Sequence, residues 1–358
     1  MINTYTKYLT INYFKSLSYV FAVMLSLVII LNILTEIEFF KNYDVNTYLP
    51  FYLAALNSLD LIFEMFPFIF LIATQVFFVS LFTDNQINIF KYSGLKNSKI
   101  LTILGCLTFL TGILIISLFY GLSSNLKNLY LEYKNKYSSD NEYLAVVTNN
   151  GLWIKDVLDK KTLIVNASKI ENNFLINVNI SEFDTNFNLL RVISSDKVNI
   201  SSNDWVLDNV NLIENNNSQE LEKMQLFSNF DFKEINSLFS NLSSLSILEL
   251  FELRNNYIKI NYSTTEIDVE LQKLFSYPIY FALMTIFSAI IMFNTKSFKS
   301  NSLKITIGLF LCVVIYYTNN LFQVLGNTEK IPIMISVWAV LIIIMFMNLI
   351  LLMKINEK

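Results

Sequence analysis

The sequence predicts an α+β membrane protein in which six transmembrane helices, arranged as three plus three, flank an inserted antiparallel β domain. Hydrophobic residues make up 54% of the 358 residues and charged residues only 15%, against the roughly 25% that is usual in soluble domains. Six apolar runs are each long enough to cross a bilayer. Between the third and fourth runs lies a polar block, in which apolar and polar residues alternate with the period of two that is typical of half-buried strands.

The six predicted spans divide the chain into three regions. Residues 1–121 hold the first three spans, residues 122–272 form the polar block, and residues 273–358 hold the last three spans. Pro67 lies inside the second run, and we expect it to kink the helix because proline lacks a backbone donor. The predicted spans are 14–34, 51–82, 100–120, 274–294, 303–325 and 331–353.

Lysine residues are unevenly distributed over the termini and the short loops between the spans. If the N-terminus is cytoplasmic, ten of these lysines lie inside and two lie outside, as the positive-inside rule requires. Both termini are then predicted to be cytoplasmic, and the polar block is predicted to lie on the outer side. The inside lysines are Lys7, Lys15, Lys91, Lys96, Lys99, Lys296, Lys299, Lys304, Lys354 and Lys358, and the outside lysines are Lys41 and Lys330.

The composition excludes several classes of function. The chain has no histidine, which rules out histidine-based nucleophile pairs and histidine metal sites. No Gly-x-x-x-x-Gly-Lys phosphate loop occurs among its 7 glycines, so we expect no ATPase site of that kind. The net charge of −3 argues against a nucleic-acid partner, because phosphate binding needs clustered Lys and Arg. We therefore predict no catalytic residue, no metal and no cofactor held by this chain.

The loop between the second and third spans has the pattern of a short, capped helix. Thr83 and Gln86 have the spacing of a capping box, and Gly94 stands where a left-handed C-terminal cap belongs. Four residues of the loop make it too apolar for a purely solvated helix: Ile87, Ile89, Phe90 and Tyr92. On physical grounds they fit equally well into lipid headgroups or into a groove on another protein.

The polar block is predicted to begin with a helix at 123–136 and then to fold mostly as strands. Turn-forming Asn, Asp and Ser cluster between the strand patterns, which favours an antiparallel sandwich or an open barrel. Two helices, at 244–255 and 264–275, follow the strands, and the second leads directly into the fourth span. The predicted strands are 144–148, 152–156, 162–167, 176–180, 189–193, 197–200 and 205–212.

Polar side chains inside two of the predicted spans are candidates for function. Asp60 and Glu64 precede Pro67, and carboxylates at membrane depth usually face a cavity or a bundle interior. They also fit a position near the outer interface. Asn320 and Gln323 lie three residues apart on one face of the fifth span. Such amides usually bond to a neighbouring helix, and the alternative is that they line a cavity for an amphipathic substrate.

The architecture and the order of six local motifs resemble the permease family of the lipopolysaccharide-export ABC transporter, LptF/LptG. In chain order, the motifs are similar to the family's Glu-Leu-Leu-Pro region, its Asp-Ser-Glu-Leu and Ala-Gly-Val/Leu stretches, its Gly-x-Trp-x-Lys/Arg-Asp opening of the external domain, its Glu-Leu-x-Arg/Lys…Pro start of the fourth span, and its fifth span. The LptG-type member is the better match. The stretches are 63–67 (Phe-Glu-Met-Phe-Pro), 84–87 (Asp-Asn-Gln-Ile), 93–95 (Ser-Gly-Leu), 151–156 (Gly-Leu-Trp-Ile-Lys-Asp), 269–278 (Val-Glu-Leu-Gln-Lys-Leu…Pro) and 316–323 (Tyr-Tyr…Asn…Gln).

This resemblance implies partners and a place for each. A cytoplasmic ABC ATPase dimer (LptB-like) would bind ATP, a sibling permease (LptF-like) would complete the membrane part, and the inserted domain would be a periplasmic β-jellyroll that docks to bridge proteins (LptC/LptA-like). The coupling helix for the ATPase would lie at about 84–93 and use Asp84, Gln86, Ile87, Phe90 and Gly94. The lipopolysaccharide cavity would be lined by Asn32, Glu36, Lys41, Tyr316, Asn320 and Gln323.

The implied function is that of a permease subunit in the bacterial inner membrane. It would extract lipopolysaccharide and pass it to the periplasmic bridge, with ATP hydrolysed by the partner. The alternative is a mechanotransmitting membrane protein that couples the ATPase to a periplasmic partner without moving lipid. Two features depart from the family pattern. Gln86 replaces the usual glutamate, and Glu36 and Glu38 accompany Lys41 at the outer end of the first span, where an anionic headgroup would favour more basic side chains.

Overall fold

The chain folds into two compact units. The computed structural model describes residues 4–137, 152–158, 161–171, 173–214, 217–232, 235, 241–259, 263–294 and 300–356. The helical unit comprises residues 1–130 and 265–358, and the inserted unit comprises residues 131–264. The predicted strand at 144–148 and the motif residue Gly151 lie outside the described residues.

The α-helices belong mainly to the helical unit. Of the helices bounded here within the described residues, α7 alone lies wholly within the inserted unit, and α6 runs across the boundary between the units. In chain order they are α1 Thr4–Phe39, α2 Tyr48–Glu64, α3 Phe66–Thr83, α4 Gln86–Tyr92, α5 Asn97–Leu114, α6 Gly121–Asn135, α7 Ile247–Lys259, α8 Thr265–Asn294, α9 Asn301–Asn327 and α10 Ile333–Asn356.

Six helical segments are long and apolar enough to cross a membrane. They confirm the three-plus-three arrangement that the apolar runs predict, and the chain is therefore a multi-pass membrane protein. The segments are Thr4–Asn42, Phe66–Thr83, Asn97–Asn135, Thr265–Asn294, Ser302–Asn327 and Ile333–Met353.

The second predicted span is divided into two helices. α2 ends at Glu64, and α3 begins at Phe66 with Pro67 in its first turn. A proline is well tolerated there, because the first-turn N–H groups of a helix have no intrahelical partner. The kink expected at Pro67 is thus a break just before it, at Met65.

The third span continues without interruption into the helix that was predicted to start the polar block. Residues Ile115–Tyr120 form a π-helical stretch between α5 and α6. Gly121, which follows this stretch, keeps helical angles with φ −61° and ψ −36°. The backbone therefore stays helical through a glycine that could have ended the span.

Helices α5 and α8 approach each other closely at Gly112. A Cβ atom at this position would lie 2.8 Å from the Cα atom of Pro278. Glycine permits the contact, as small residues commonly do where helices pack inside membranes. Pro278 itself lies within α8, which continues past it without a break.

The inserted unit contains one six-stranded antiparallel sheet in which each strand pairs with the next in sequence. One pair of predicted strands and one strand that was not predicted require comment. The strands predicted at 189–193 and 197–200 form the single strand β4, and β6 was not predicted because its charged residues hide the alternating pattern. The strands are β1 Leu152–Leu158, β2 Lys161–Glu171, β3 Phe174–Phe183, β4 Leu189–Asn199, β5 Asp204–Glu214 and β6 Asn217–Phe227.

The sheet is rolled, so that its first strand meets the chain that follows its last. The buried carboxylate of Asp156 on β1 accepts hydrogen bonds from Ser228 Oγ at 2.8 Å and from the backbone N–H of Asn229 at 2.9 Å. In a flat sheet, strands spaced about 4.8 Å apart would separate β1 from β6 by about 24 Å. Because these groups touch, the unit resembles an open barrel, one of the two forms favoured by the sequence.

All six strands contribute to one apolar core on the inner face of the rolled sheet. Trp205 is completely buried in this core, and its indole N–H donates to the carbonyl of Phe230 at 2.7 Å. The inserted antiparallel β domain is thus confirmed. Its described strands follow one another as a meander, whereas a jellyroll contains Greek-key crossings.

Candidate functional site

The predicted coupling helix is α4, which is shorter than expected and begins differently. Thr83 is the last residue of α3, and its hydroxyl donates to the carbonyl of Val79 at 2.9 Å, so it does not cap α4. The chain instead reverses at Asn85, which has a positive φ of 55°. Asparagine adopts this left-handed conformation more readily than most residues. The capping-box prediction is therefore wrong, although the short helix that the pattern predicted is present.

The other end of α4 is capped as predicted. Gly94 has a φ of +78°, and the backbone N–H of Leu95 donates to the carbonyl of Phe90 at 2.9 Å. This bond pattern with a left-handed glycine is that of a Schellman cap, which satisfies carbonyls at the helix end. The cap fixes the direction in which the chain leaves α4 and enters α5.

The apolar residues of α4 face in two directions. Ile87 is only 2% exposed and packs in a core with Leu9 and Leu81, so it anchors the helix to its own chain. Ile89 and Tyr92 are 60% and 90% exposed. The exposed apolar surface of α4 is therefore formed by Ile89 and Tyr92. The sequence pattern singled out Ile87, because the pattern shows the apolar residues and not which of them the rest of the chain covers.

Gln86 joins α4 to the first span. Its side-chain oxygen accepts a hydrogen bond from the hydroxyl of Tyr8 at 2.8 Å, and its amide nitrogen donates to the carboxylate of Asp84 at 3.1 Å. Phe90 packs against the same tyrosine edge-on, with 6.2 Å between ring centroids. A glutamate could accept from Tyr8, but it would have no N–H for Asp84 and would repel it. Glutamine therefore suits this local arrangement.

A groove of about 690 Å³ lies beside α4. The first turns of α1 and the start of α5 form its other walls. The groove is lined by Thr4, Tyr5, Tyr8, Gln86, Ile89, Phe90, Ser93, Gly94, Leu95 and Lys99.

Three of the predicted cavity residues are brought together in a polar cleft of about 200 Å³. Tyr316, Asn320 and Gln323 of α9 line it together with side chains from the end of α2 and the first half of α8. We call this site the polar cleft, and its remaining lining residues are Glu64, Pro67, Glu270, Lys273, Tyr277, Tyr280, Asn319, Val324 and Asn327.

The hydrogen-bonding groups of the polar cleft differ in whether they have partners within the chain. Lys273 is paired within α8, since its ammonium lies 3.1 Å from both carboxylate oxygens of Glu270. The side chains of Asn319, Asn320 and Gln323, by contrast, make no hydrogen bond to any other described residue. Amides in membrane spans usually have hydrogen-bond partners, so these three side chains are available to a group that lies outside the described residues.

The other three predicted cavity residues lie elsewhere. Asn32 is buried between α1 and α2, where it donates to the carbonyl of Ala54 at 2.8 Å. Glu36 is 1% exposed and accepts a hydrogen bond from the Tyr130 hydroxyl at 2.9 Å. Lys41 is exposed in the short 3₁₀ turn that follows α1. Asn32 and Glu36 thus hold helices together, as buried polar groups in membranes commonly do.

Two lysines that matter here were not predicted to be site residues, although Lys273 belongs to the motif at 269–278. Lys127 of α6 binds Asp60 at 3.2 Å and Asn57 at 2.6 Å, which places Asp60 in the interior of the bundle. Nothing in the sequence signals this contact, because the partners lie on different helices. Lys273 had a signal, since it follows Glu270 by three residues, a spacing that puts both on one helix face.

The described residues contain no group of three or more His, Cys, Asp or Glu side chains that could hold a metal ion. The polar cleft contains carboxyl, amide and phenol groups with a single ammonium. This set can bind and orient a polar group by hydrogen bonds.

Residues 7–354 match the family described as "Lipopolysaccharide export system permease LptF/LptG". A comparison with curated proteins found no match. The family match spans both groups of transmembrane helices and the inserted unit. The matched range includes the residues of α4, of the polar cleft and of the described strands. The chain therefore belongs to the LptF/LptG family of lipopolysaccharide export permeases.

Proposed function

We propose that this chain is an LptG-type permease subunit of an ABC transporter, which extracts lipopolysaccharide from the bacterial inner membrane and passes it toward the outer membrane. Family membership supports the general role. The observation that carries the rest is the exposure of Ile89 and Tyr92 on α4, since apolar side chains on a short helix outside the spans need a cover. A cytoplasmic ATPase dimer is the proposed cover.

The path of the chain supports a cytoplasmic position for α4 and a periplasmic position for the inserted unit. The hydrogen bond between Tyr8 and Gln86 places the start of the first span and α4 at the same end of the helical unit. The chain crosses the membrane once more between α4 and the inserted unit. In sequence, α4 precedes the third span and the inserted unit follows it, so the two are connected to opposite ends of that span. With the lysine-rich end in the cytoplasm, α4 faces a cytoplasmic ATPase, and the inserted unit lies in the periplasm beside bridge proteins of the LptC/LptA kind.

The polar cleft supports a transport role over purely mechanical signalling. A mechanotransmitter needs tightly packed contacts around the fifth span, whereas α9 borders an open space whose amides lack partners among the described residues. In the proposed mechanism, ATP-driven closure of the ATPase moves α4. This movement shifts the helices around the lipid cavity. Each acyl methylene that leaves the bilayer costs about 0.8 kcal/mol, so the extraction needs the energy that the proposed ATPase supplies; a sibling permease of the LptF kind completes the proposed membrane part.

The docking of α4 is tested by co-purification of the chain with its sibling permease and the ATPase. Tyr92→Asp should remove the ATPase from the purified complex, because a carboxylate would have to be desolvated in the interface. Tyr48→Asp is the matched control, since Tyr48 is 79% exposed at the start of α2 and Tyr92 is 90% exposed. Retention of the ATPase by the Tyr92 variant would contradict the docking surface.

The transport role is tested in the host. Depletion of the gene should stop the appearance of lipopolysaccharide at the outer surface, measured by surface labelling. Unchanged surface delivery would contradict the permease role and favour the mechanotransmitting alternative.

A further inference from the structure

The polar cleft has a composition that distinguishes between the chemical groups of a lipid headgroup. We propose that the polar cleft binds sugar hydroxyl groups of the transported lipid and does not bind the phosphates of that lipid. This inference rests on the proposed function, because it assigns a part of the transported lipid to a place in the permease.

The first argument is charge. A phosphate is bound most strongly by Arg or Lys through charge-assisted hydrogen bonds. Among the described residues that line the polar cleft, only Lys273 carries an ammonium, which is held by both oxygens of Glu270 at 3.1 Å and lies 6.0 Å from the ring centroid of Tyr277. Glu64 adds a second carboxyl group to the lining. The polar cleft thus offers a phosphate no surplus positive charge.

The second argument is the type of hydrogen-bonding group. Each Asn and Gln side chain carries both donors and an acceptor, and each tyrosine hydroxyl can act in either role. A sugar hydroxyl also donates and accepts, whereas an ionised phosphate can only accept. Asn319, Asn320 and Gln323 have no partner among the described residues, so both halves of each amide are available to a hydroxyl.

The third argument is burial. The rings of Tyr277 and Tyr280 are 5% and 3% exposed, and both tyrosines line the polar cleft. Neither hydroxyl makes a hydrogen bond to another residue in the part of the chain that the structure describes. Neither hydroxyl oxygen is among the buried polar atoms that lack a partner, so each remains accessible from the polar cleft, where it can donate to or accept from a sugar hydroxyl. The polar cleft has a volume of about 200 Å³, and its carboxyl, amide and phenol groups suit part of a sugar better than acyl chains.

The experiment compares lipids with altered headgroups on the complete complex with its sibling and ATPase, reconstituted in nanodiscs. The probes are an acylated glucosamine disaccharide with its phosphates, the same lipid without phosphates, and the phosphate-free lipid with its hydroxyls methylated. Methylation should weaken binding to the natural complex about five- to ten-fold, as expected for one or two lost hydrogen bonds. In Asn320→Leu the same methylation should change binding less than two-fold, because the interaction is already lost.

A neighbouring pair of tyrosines supplies a matched control that keeps the aromatic ring. Tyr316 lines the polar cleft, and Tyr317 is 66% exposed and does not line it. Tyr316→Phe should weaken binding of the phosphate-free lipid several-fold, and Tyr317→Phe should leave it unchanged. Equal behaviour of the two variants would overturn the assignment. A second result would be that Asn320→Leu weakens binding of the phosphorylated lipid and leaves binding of the phosphate-free lipid unchanged. That result would also overturn the hydroxyl assignment, because the polar cleft would then be binding phosphate.

The outcomes separate this inference from the proposed function. A natural complex that binds no lipid and shows no lipid-stimulated ATP hydrolysis contradicts both. Normal lipid binding with no effect of the cleft variants contradicts the hydroxyl assignment alone. The free disaccharide should compete at least about 100-fold more weakly than the lipid, because it lacks the apolar chains. Equal competition would assign the polar cleft to a soluble sugar and overturn the assignment to a lipid.

Discussion

The ammonium of Lys127 lies 3.2 Å from the carboxylate of Asp60 and 2.6 Å from the side-chain oxygen of Asn57. This contact ties α6 to α2 inside the helical unit. Asn57 in turn donates to Asn32 at 3.2 Å, so α1 joins the same network. Three helices are thus held by charged and amide groups that are largely shielded from solvent, and movement of one is resisted by the other two.

The first prediction concerns this ion pair. Lys127→Met should destabilise the helical unit by about 3 kcal/mol, because it leaves a buried carboxylate without its cation. The double variant Lys127→Met with Asp60→Asn should recover most of that loss, since no buried charge remains. Thermal unfolding of the purified protein in detergent measures both. Additive losses in the double variant would show that the ion pair is not the cause.

The second prediction concerns Gln86, which stands where the resemblance leads one to expect glutamate. Gln86→Glu should loosen α4, because it replaces a hydrogen bond to Asp84 with a repulsion. The pair is exposed, so the effect should be about 0.5–1 kcal/mol. Hydrogen exchange of the backbone amides of α4 should become a few-fold faster. Tyr8→Phe should have a similar effect through the lost hydrogen bond, and unchanged exchange in both variants would contradict the proposed link to the first span.

The third prediction concerns two glycines of the third span. Gly112→Val should destabilise the protein by about 1–3 kcal/mol through overpacking, because a Cβ there lies 2.8 Å from the Cα of Pro278. Gly121→Ala is the control, as no atom lies within 4 Å of its Cβ position and its angles are helical. It should be neutral or slightly stabilising. Thermal unfolding in detergent ranks the two, and equal losses would contradict the close approach of α5 and α8.

The fourth prediction concerns the pH dependence of the inserted unit. The side chain of Glu182 is 1% exposed and pairs with Lys161 and Arg191. Burial acts to raise the pKa of Glu182, but the hydrogen bonds from Lys161 and Arg191 and the charges of both outweigh it and hold the pKa below its usual value of 4.5. The ionised carboxylate therefore stabilises the folded unit at pH values above 4.5, and this contribution is lost as the pH falls through the lowered pKa.

Glu182→Gln should accordingly lower stability at pH 7, and its difference from the natural protein should shrink as the pH is lowered below about 4.5. Rates of limited proteolysis within the inserted unit of the complete chain measure this. Glu220→Gln, at an exposed position of β6, should show no such pH-dependent difference. A difference for Glu182→Gln that persists unchanged in acid would argue for a purely steric role of the side chain.

The sequence predicted most of the architecture because the relevant signals are local. Apolar runs of bilayer length indicate transmembrane spans whichever helices they pack against. The family match confirms the overall arrangement. Pro67 marked the break between α2 and α3, and Gly94 marked the end of α4. Strand β6 escaped prediction because most of its side chains are exposed, and an exposed strand shows no alternation of apolar and polar residues.

The sites were predicted less well, for a physical reason that Asn32 and Glu36 illustrate. A polar residue within a span must find a partner, but its type does not reveal whether that partner is another helix or a ligand. Tyr316, Asn320 and Gln323 belong to the polar cleft, whereas Asn32 and Glu36 bond within the bundle. Ile87 shows the same ambiguity for apolar residues, since only its packing reveals that it faces its own chain.

By itself, the sequence determined that this protein crosses the membrane six times, carries an inserted β domain and has no histidine chemistry. Those properties follow from composition and from patterns that extend over a few turns or strands. The tertiary structure alone decided that Lys127 neutralises Asp60, that Asp156 closes the rolled sheet, and that the amides of α9 meet α8 at an open cleft. Each of these depends on contacts between residues far apart in the chain, whose energies arise only when the helices and strands have packed.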